Sequence, residues 1–243
     1  MFLLTGLSNL CCFPVLFVIY KRKMVFGTMI GVFTFICSFL YHSMESLHIQ
    51  EFYLTYSDWH KLDNIGSIMS LIYLFVHLMD NLEYSNGIYL SAHENITDRV
   101  LFYLGLFITL LMQTKHPWNL ENTIVPIAIF ASITIGKTIF YRKPRLHKQN
   151  FGFGCTFLLF GLICFYKGLD DNQDYLRIWH GCWHICGSGA LFYFYQAIRK
   201  DKKIQGIHIE ITKKDEYFSL WNTILQVYSC GFWPNKTKIH REV

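Results

Sequence analysis

The chain is predicted to be an all-α polytopic membrane protein, a seven-transmembrane-helix bundle with an extracellular amino terminus and a cytoplasmic carboxyl terminus. Three observations predict this. Of 243 residues, 52% are hydrophobic, 18% aromatic and only 16% charged, more apolar surface than one soluble core of this size can hide. Apolar stretches that reach or approach the ~20 residues needed to cross ~30 Å of hydrocarbon fall at 2–20, 25–42, 62–79, 99–113, 122–141, 151–166 and 177–197, the fourth and sixth being short. Basic residues collect in alternate loops. Residues 1–197 then form the transmembrane domain and 198–243 a cytoplasmic tail.

The first span lacks the basic leader and small-residue cleavage site of a secretory signal and runs into Lys21-Arg22-Lys23, so it is expected to remain in the mature chain. Lys and Arg mark cytoplasmic loops. Lys21, Arg22 and Lys23 follow span one, Arg142, Lys143, Arg145 and Lys148 follow span five, and Arg199, Lys200, Lys202 and Lys203 follow span seven. The opposite loops hold only Lys61, Lys115, Lys167 and Arg177. Topology accounts for the net charge of +5, and no nucleic-acid patch is present.

Seven of the eight cysteines, Cys11, Cys12, Cys37, Cys155, Cys164, Cys182 and Cys186, fall within spans and none in the outer loops. A disulfide framework is therefore not expected, and buried thiols packing between helices are. Cys230 lies in an apolar patch of the basic tail, a site for acylation or for lying on the bilayer. Asn95-Ile-Thr97 and Asn235-Lys-Thr237 are formal glycosylation acceptors on the cytoplasmic side, where they stay unmodified. Residues 204–211 alternate apolar and polar, the pattern of a short surface element.

Span seven opens with Arg177-Ile-Trp-His-Gly-Cys-Trp-His-Ile-Cys186. Its two histidines, His180 and His184, are four residues apart and so stack on one helix face, the way a helix presents two ligands to one metal ion. Ionisable side chains inside a span are costly and mark function. Partners at the same depth are available: span two ends outward with Ser38-Phe-Leu-Tyr-His42, and span three starts with Lys61-Leu-Asp63. Three imidazoles, from His42, His180 and His184, plus an open position form the pattern of a catalytic Zn²⁺, whose bound water has its pKa lowered toward ~7. Asp63 would hold that water or act as its general base. Ser38, one turn before His42, would steady a ligand or donate to an oxyanion.

The bland readings are a lone interfacial His42 and an isolated helical pair. Outer-loop His48, Asp58, His60 and His116 compete as ligands. Cys182 and Cys186 lie round the helix from the histidine face and are rejected. Near the inner ends, His77, Asp80 and Lys137 read as interfacial or snorkelling groups.

The order Ser-x-x-x-His in span two, Asp in span three and His-x-x-x-His in span seven resembles the seven-helix CREST superfamily, which includes alkaline ceramidases and adiponectin-receptor-like proteins. Within it the chain is similar to the transmembrane protein 8 branch, on Leu7-Ser-Asn-Leu10, Phe13-Pro14, Lys21-Arg22, Tyr41-His42, Ile65-Gly66-Ser67, Asp174-Tyr175, Trp179-His180 and Trp183-His184. The likeness covers most of the chain to about residue 200. It implies a plasma-membrane protein acting in myoblast fusion, with Zn²⁺ on the three histidines, membrane lipids as ligands and a second fusogenic membrane protein as partner; homo-oligomerisation stays open. Ser38 and Asp63 match the hydrolytic relatives instead, so a zinc-dependent lipid amide or ester hydrolase is carried beside the fusion reading, with a receptor third.

Overall fold

A computed structural model describes residues 2–47, 51–81, 83–85, 88–90, 94–141, 143–170, 174 and 176–198. The expectations for the tail from 199 on, with Cys230, Asn235-Lys-Thr237 and 204–211, lie outside these residues, as do those for His48 and Tyr175. The described chain is helical, apart from antiparallel two-stranded ribbons of β1 (Glu51–Phe52) with β2 (Leu54–Thr55) and β3 (Glu83–Ser85) with β4 (Ile88–Leu90). Each of the seven apolar stretches becomes helical. The first is broken into α1 (Phe2–Thr5), a 3₁₀ segment (Leu7–Cys12) and α2 (Phe13–Lys21), with Pro14 in the first turn of α2, where its missing N–H is harmless. The rest are α3 (Val25–Leu47), α4 (Tyr56–Leu78), α5 (Ile96–Lys115), α6 (Leu120–Phe140), α7 (Lys148–Gly168) and α8 (Ile178–Ala197).

Helix α4 is the axis. It packs against α3, α5, α6 and α8, and Ile68, Met69, Ile72 and Val76 are each 0% exposed. Between Ile65 and Leu78 the one exposed residue is Ser67, so this stretch is apolar on nearly every face. Its close approach to α3 requires Gly66, where a Cβ would sit 2.9 Å from the Thr34 Cα. Among the described residues, four helices, α3, α5, α6 and α7, are long and apolar enough to cross a membrane. They turn large apolar side chains outward, among them Met29, Phe107, Ile139 and Leu159. That is the surface of a membrane-embedded bundle, since lipid tails are as apolar as the side chains they meet.

In such surroundings every backbone carbonyl needs a partner. Pro126 inside α6 has no N–H for the Asn122 carbonyl. The fully buried Gln113 of α5 supplies one, its Nε2 donating to Asn122 O at 3.1 Å.

At the end of the bundle away from the histidines, two of the groups expected to be interfacial, His77 and Asp80, are buried, and Lys137 is half-buried. His77 is 6% and Asp80 2% exposed. Asp80 pairs with Arg145 at 3.2 Å, Lys137 donates to Met79 O and Asn81, and Asn81 donates to Asp98 at 2.6 Å. Asn95 caps α5 by accepting from Asp98 N and is 3% exposed, a burial that itself disfavours glycosylation. The seven described cysteines are all free.

The Gln113 contact gives a test. Gln113→Leu is expected to lower unfolding stability in detergent by about 1–3 kcal/mol, the cost of an orphaned buried carbonyl. Adding Pro126→Ala, which restores an N–H for Asn122, should recover much of that loss in thermal unfolding; additive losses would count against the pairing.

Candidate metal centre

The site is built where α3 ends and α4 and α8 begin. Because α3 runs on past the expected end at residue 42 to Leu47, His42 sits inside a helix and is 2% exposed. Helix α8 is preceded by Arg177, whose backbone is left-handed at φ 57°, a conformation that costs a non-glycine residue energy and persists only where its surroundings enforce it. Asp174 accepts hydrogen bonds from the Trp179 and His180 amides at 3.1 and 2.9 Å. These satisfy donors left open at the helix start and fix the turn that carries His180. Gly181 lets α1 approach, since a Cβ there would lie 2.6 Å from Leu4 O.

The three expected ligands converge. His180 and His184 have ring centroids 4.9 Å apart, and His42 lies 4.7 and 5.0 Å from them. One nitrogen from each falls within 4.8 Å of the other two. His42 Nε2 and His180 Nε2 are 3.2 Å apart; tetrahedral ligands at ~2.0–2.1 Å from one ion lie about 3.3 Å from each other.

The outer nitrogens decide which lone pairs face inward. Glu45 accepts at 3.1 Å from His42 Nδ1 and also from Arg177. A carboxylate only accepts, so Nδ1 carries the proton and Nε2 presents a lone pair. The Ser8 hydroxyl donates its one proton to Thr5 O at 3.0 Å and lies 2.9 Å from His184 Nδ1. With that proton on Thr5 O, the hydroxyl accepts from Nδ1–H, and the Nε2 of His184 is left to present a second lone pair. Two of the three imidazoles are thus held in the metal-binding tautomer by polar partners behind them, and the donor set fits a metal ion.

Asp63 Oδ2 stands 4.0 Å from His42 Nε2. Ser38 sits close enough to Asp63 to act on its carboxylate, and the structure shows no bond from it to a histidine. Asp63 Oδ1 is buried with no hydrogen-bond partner, an acceptor aimed at something the protein itself does not supply. The competing residues stay apart. His60 stacks on Trp118, centroids 3.6 Å and planes 6° apart. Asp58 is engaged by Thr55 and by Lys61 at 3.8 Å. His116, Cys182 and Cys186 join no cluster of ligands among the described residues.

Glu45, Ser8, Arg177 and Asp174 are the residues that sequence reasoning missed as parts of the site. The spacing His42-x-x-Glu45 at a helix end was a usable signal for the first. The others act across 132 to 176 positions of chain or through the backbone, and no local pattern marks them.

Fold and site together define a helical membrane-embedded protein with a three-histidine cluster at one end of its bundle. The chain belongs to the family described as "Protein of unknown function (DUF3522)", whose model matches residues 1–185, a span that takes in Ser38, His42, Asp63, His180 and His184. No curated protein matches it.

Glu45→Gln and Ser8→Ala are each expected to weaken metal binding about 10–100-fold, the usual effect of removing the partner behind a histidine ligand. Chelator competition on the purified protein measures this, and Asp58→Ala, at an exposed position, should leave affinity unchanged.

Proposed function

We propose that this chain is a myomaker-like multi-pass protein of the plasma membrane that promotes myoblast fusion, with Zn²⁺ held by His42, His180 and His184. The observation that carries the metal part is the pair of preset tautomers behind nitrogens converged to within 4.8 Å. Zinc suits the set because it accepts neutral imidazoles in tetrahedral geometry and tolerates three protein ligands with a fourth position open.

The orientation follows from charge. Seven spans with the amino terminus outside put Lys21 to Lys23, Arg142 to Lys148 and the basic start of the tail in the cytoplasm, and the histidine cluster near the outer leaflet. Support for fusion as the activity comes from the ordered likeness to the transmembrane protein 8 branch through span seven. In this reading the metal ties the first segment, α3 and α8 into one rigid end, and the apolar faces around that end bind phospholipid and disturb its packing in the apposed membrane. A second fusogenic membrane protein would complete the pore.

One observation favours a second reading, a zinc-dependent lipid hydrolase: the unpartnered Asp63 Oδ1 beside the histidines. When bound, zinc would supply Lewis-acid activation of a carbonyl and of water. Asp63 would take the proton of the attacking water at Oδ1, and Ser38 would hold the carboxylate in line through its hydroxyl. Burial among α3, α4 and α8 would keep bulk water out.

A cell–cell fusion assay run beside a lipid-turnover assay separates the two. The fusion reading expects His180→Ala with His184→Ala to abolish fusion, Asp63→Ala to retain it, and wild type to release no fatty acid or sphingoid base. Turnover in wild type that is lost together with fusion in Asp63→Ala would establish the hydrolase instead.

A further inference from the structure

At the end of the bundle away from the histidines, an apolar groove of about 260 Å³ opens between α4, α6 and the start of α7. Phe75 and Leu78 line it from α4, Ala131 and Thr138 from α6, with Pro144 and Phe151 closing the far side. Its threonines hide their polarity. Thr134 donates to Phe130 O at 2.8 Å, with Phe75 O also within reach at 3.1 Å, and Thr138 donates to Thr134 O, so their hydroxyls are spent on backbone and methyl groups are left for the groove. An apolar slot of this kind on the lipid-facing side takes a hydrocarbon chain.

The mouth is basic. Lys143 and Lys148, both exposed, flank the segment that carries Pro144 into the groove, and Arg145 between them is anchored to buried Asp80. Beside them Phe140 is 86% and Tyr141 90% exposed, the aromatic pair expected at headgroup level. The tail is a poor occupant, because residues 199–243 hold nine Lys and Arg against five Asp and Glu and would bring like charge to the mouth.

We propose that this groove binds one anionic phospholipid of the cytoplasmic leaflet, an acyl chain between α4, α6 and α7 and the headgroup on Lys143 and Lys148. It rests on the membrane-spanning reading, and neither the metal nor fusion enters it. Two basic side chains near an anionic headgroup are worth at least a tenfold preference over a zwitterionic one.

The test is native mass spectrometry of the delipidated full chain in detergent, mixed with equal amounts of phosphatidylserine and phosphatidylcholine. One phosphatidylserine per chain should be retained at least about tenfold over phosphatidylcholine. Lys143→Glu with Lys148→Glu should erase the preference, the paired Lys→Arg changes should keep it, and Ala131→Trp should expel lipid of either kind. Equal retention by wild type, or an unchanged preference in the paired Glu variant, overturns the site alone. So does a photo-crosslink from position 138 to residues 199–243 in place of lipid. Extraction of the chain from membranes by alkaline carbonate overturns the spanning reading as well.

Discussion

The arrangement depends on what stands behind the histidines. Three imidazoles brought together in low dielectric surroundings would have two nitrogens each to satisfy, and an unmet polar group there costs several kcal/mol. Glu45 and Ser8 remove that cost for the outer nitrogens of His42 and His184, and in doing so they leave the inner nitrogens to face one another, with His42 Nε2 3.2 Å from His180 Nε2. A cluster of this kind could hold a metal ion. A divalent ion there would take one bond from each ring.

The same requirement explains why the ends of three helices are tied together as they are. Arg177 takes a left-handed backbone and reaches Glu45, coupling the entry of α8 to the exit of α3. Asp174 secures the amides that precede His180, and Ser8 is held in turn by Thr5. The first segment is a broken helix and not a straight rod for this reason: its 3₁₀ turn brings Ser8 against His184. At the far end, Asp80, Asn81, Asp98, Lys137 and Arg145 join α4, α5 and the loop after α6. With both ends fixed by polar bonds, the apolar middle can pack through α4.

Much of this was legible from residues. The seven stretches are visible because hydrocarbon thickness sets a length that only apolar runs can meet, and His42, His180 and His184 stood out because imidazoles are rare there. Helix ends were less so. Helix α4 starts at Tyr56, six residues before its apolar run, because Thr55 caps it and its polar first turn needs no hydrocarbon. Likewise α3 continues beyond His42, which is how Glu45 comes to lie behind that ring. Asp80 and Lys137 read as interfacial because pattern alone shows the apolar run ending near them, while their partners, Arg145 for Asp80 and Met79 O and Asn81 for Lys137, come from other parts of the chain.

X-ray absorption at the zinc edge, on protein purified without added metal or chelator, addresses the centre directly. The account expects about one zinc per chain with a nitrogen-dominated shell at ~2.0–2.1 Å, reduced to background in His180→Ala with His184→Ala. A sulfur shell near ~2.3 Å, or the same zinc content in wild type and the double variant, would contradict it.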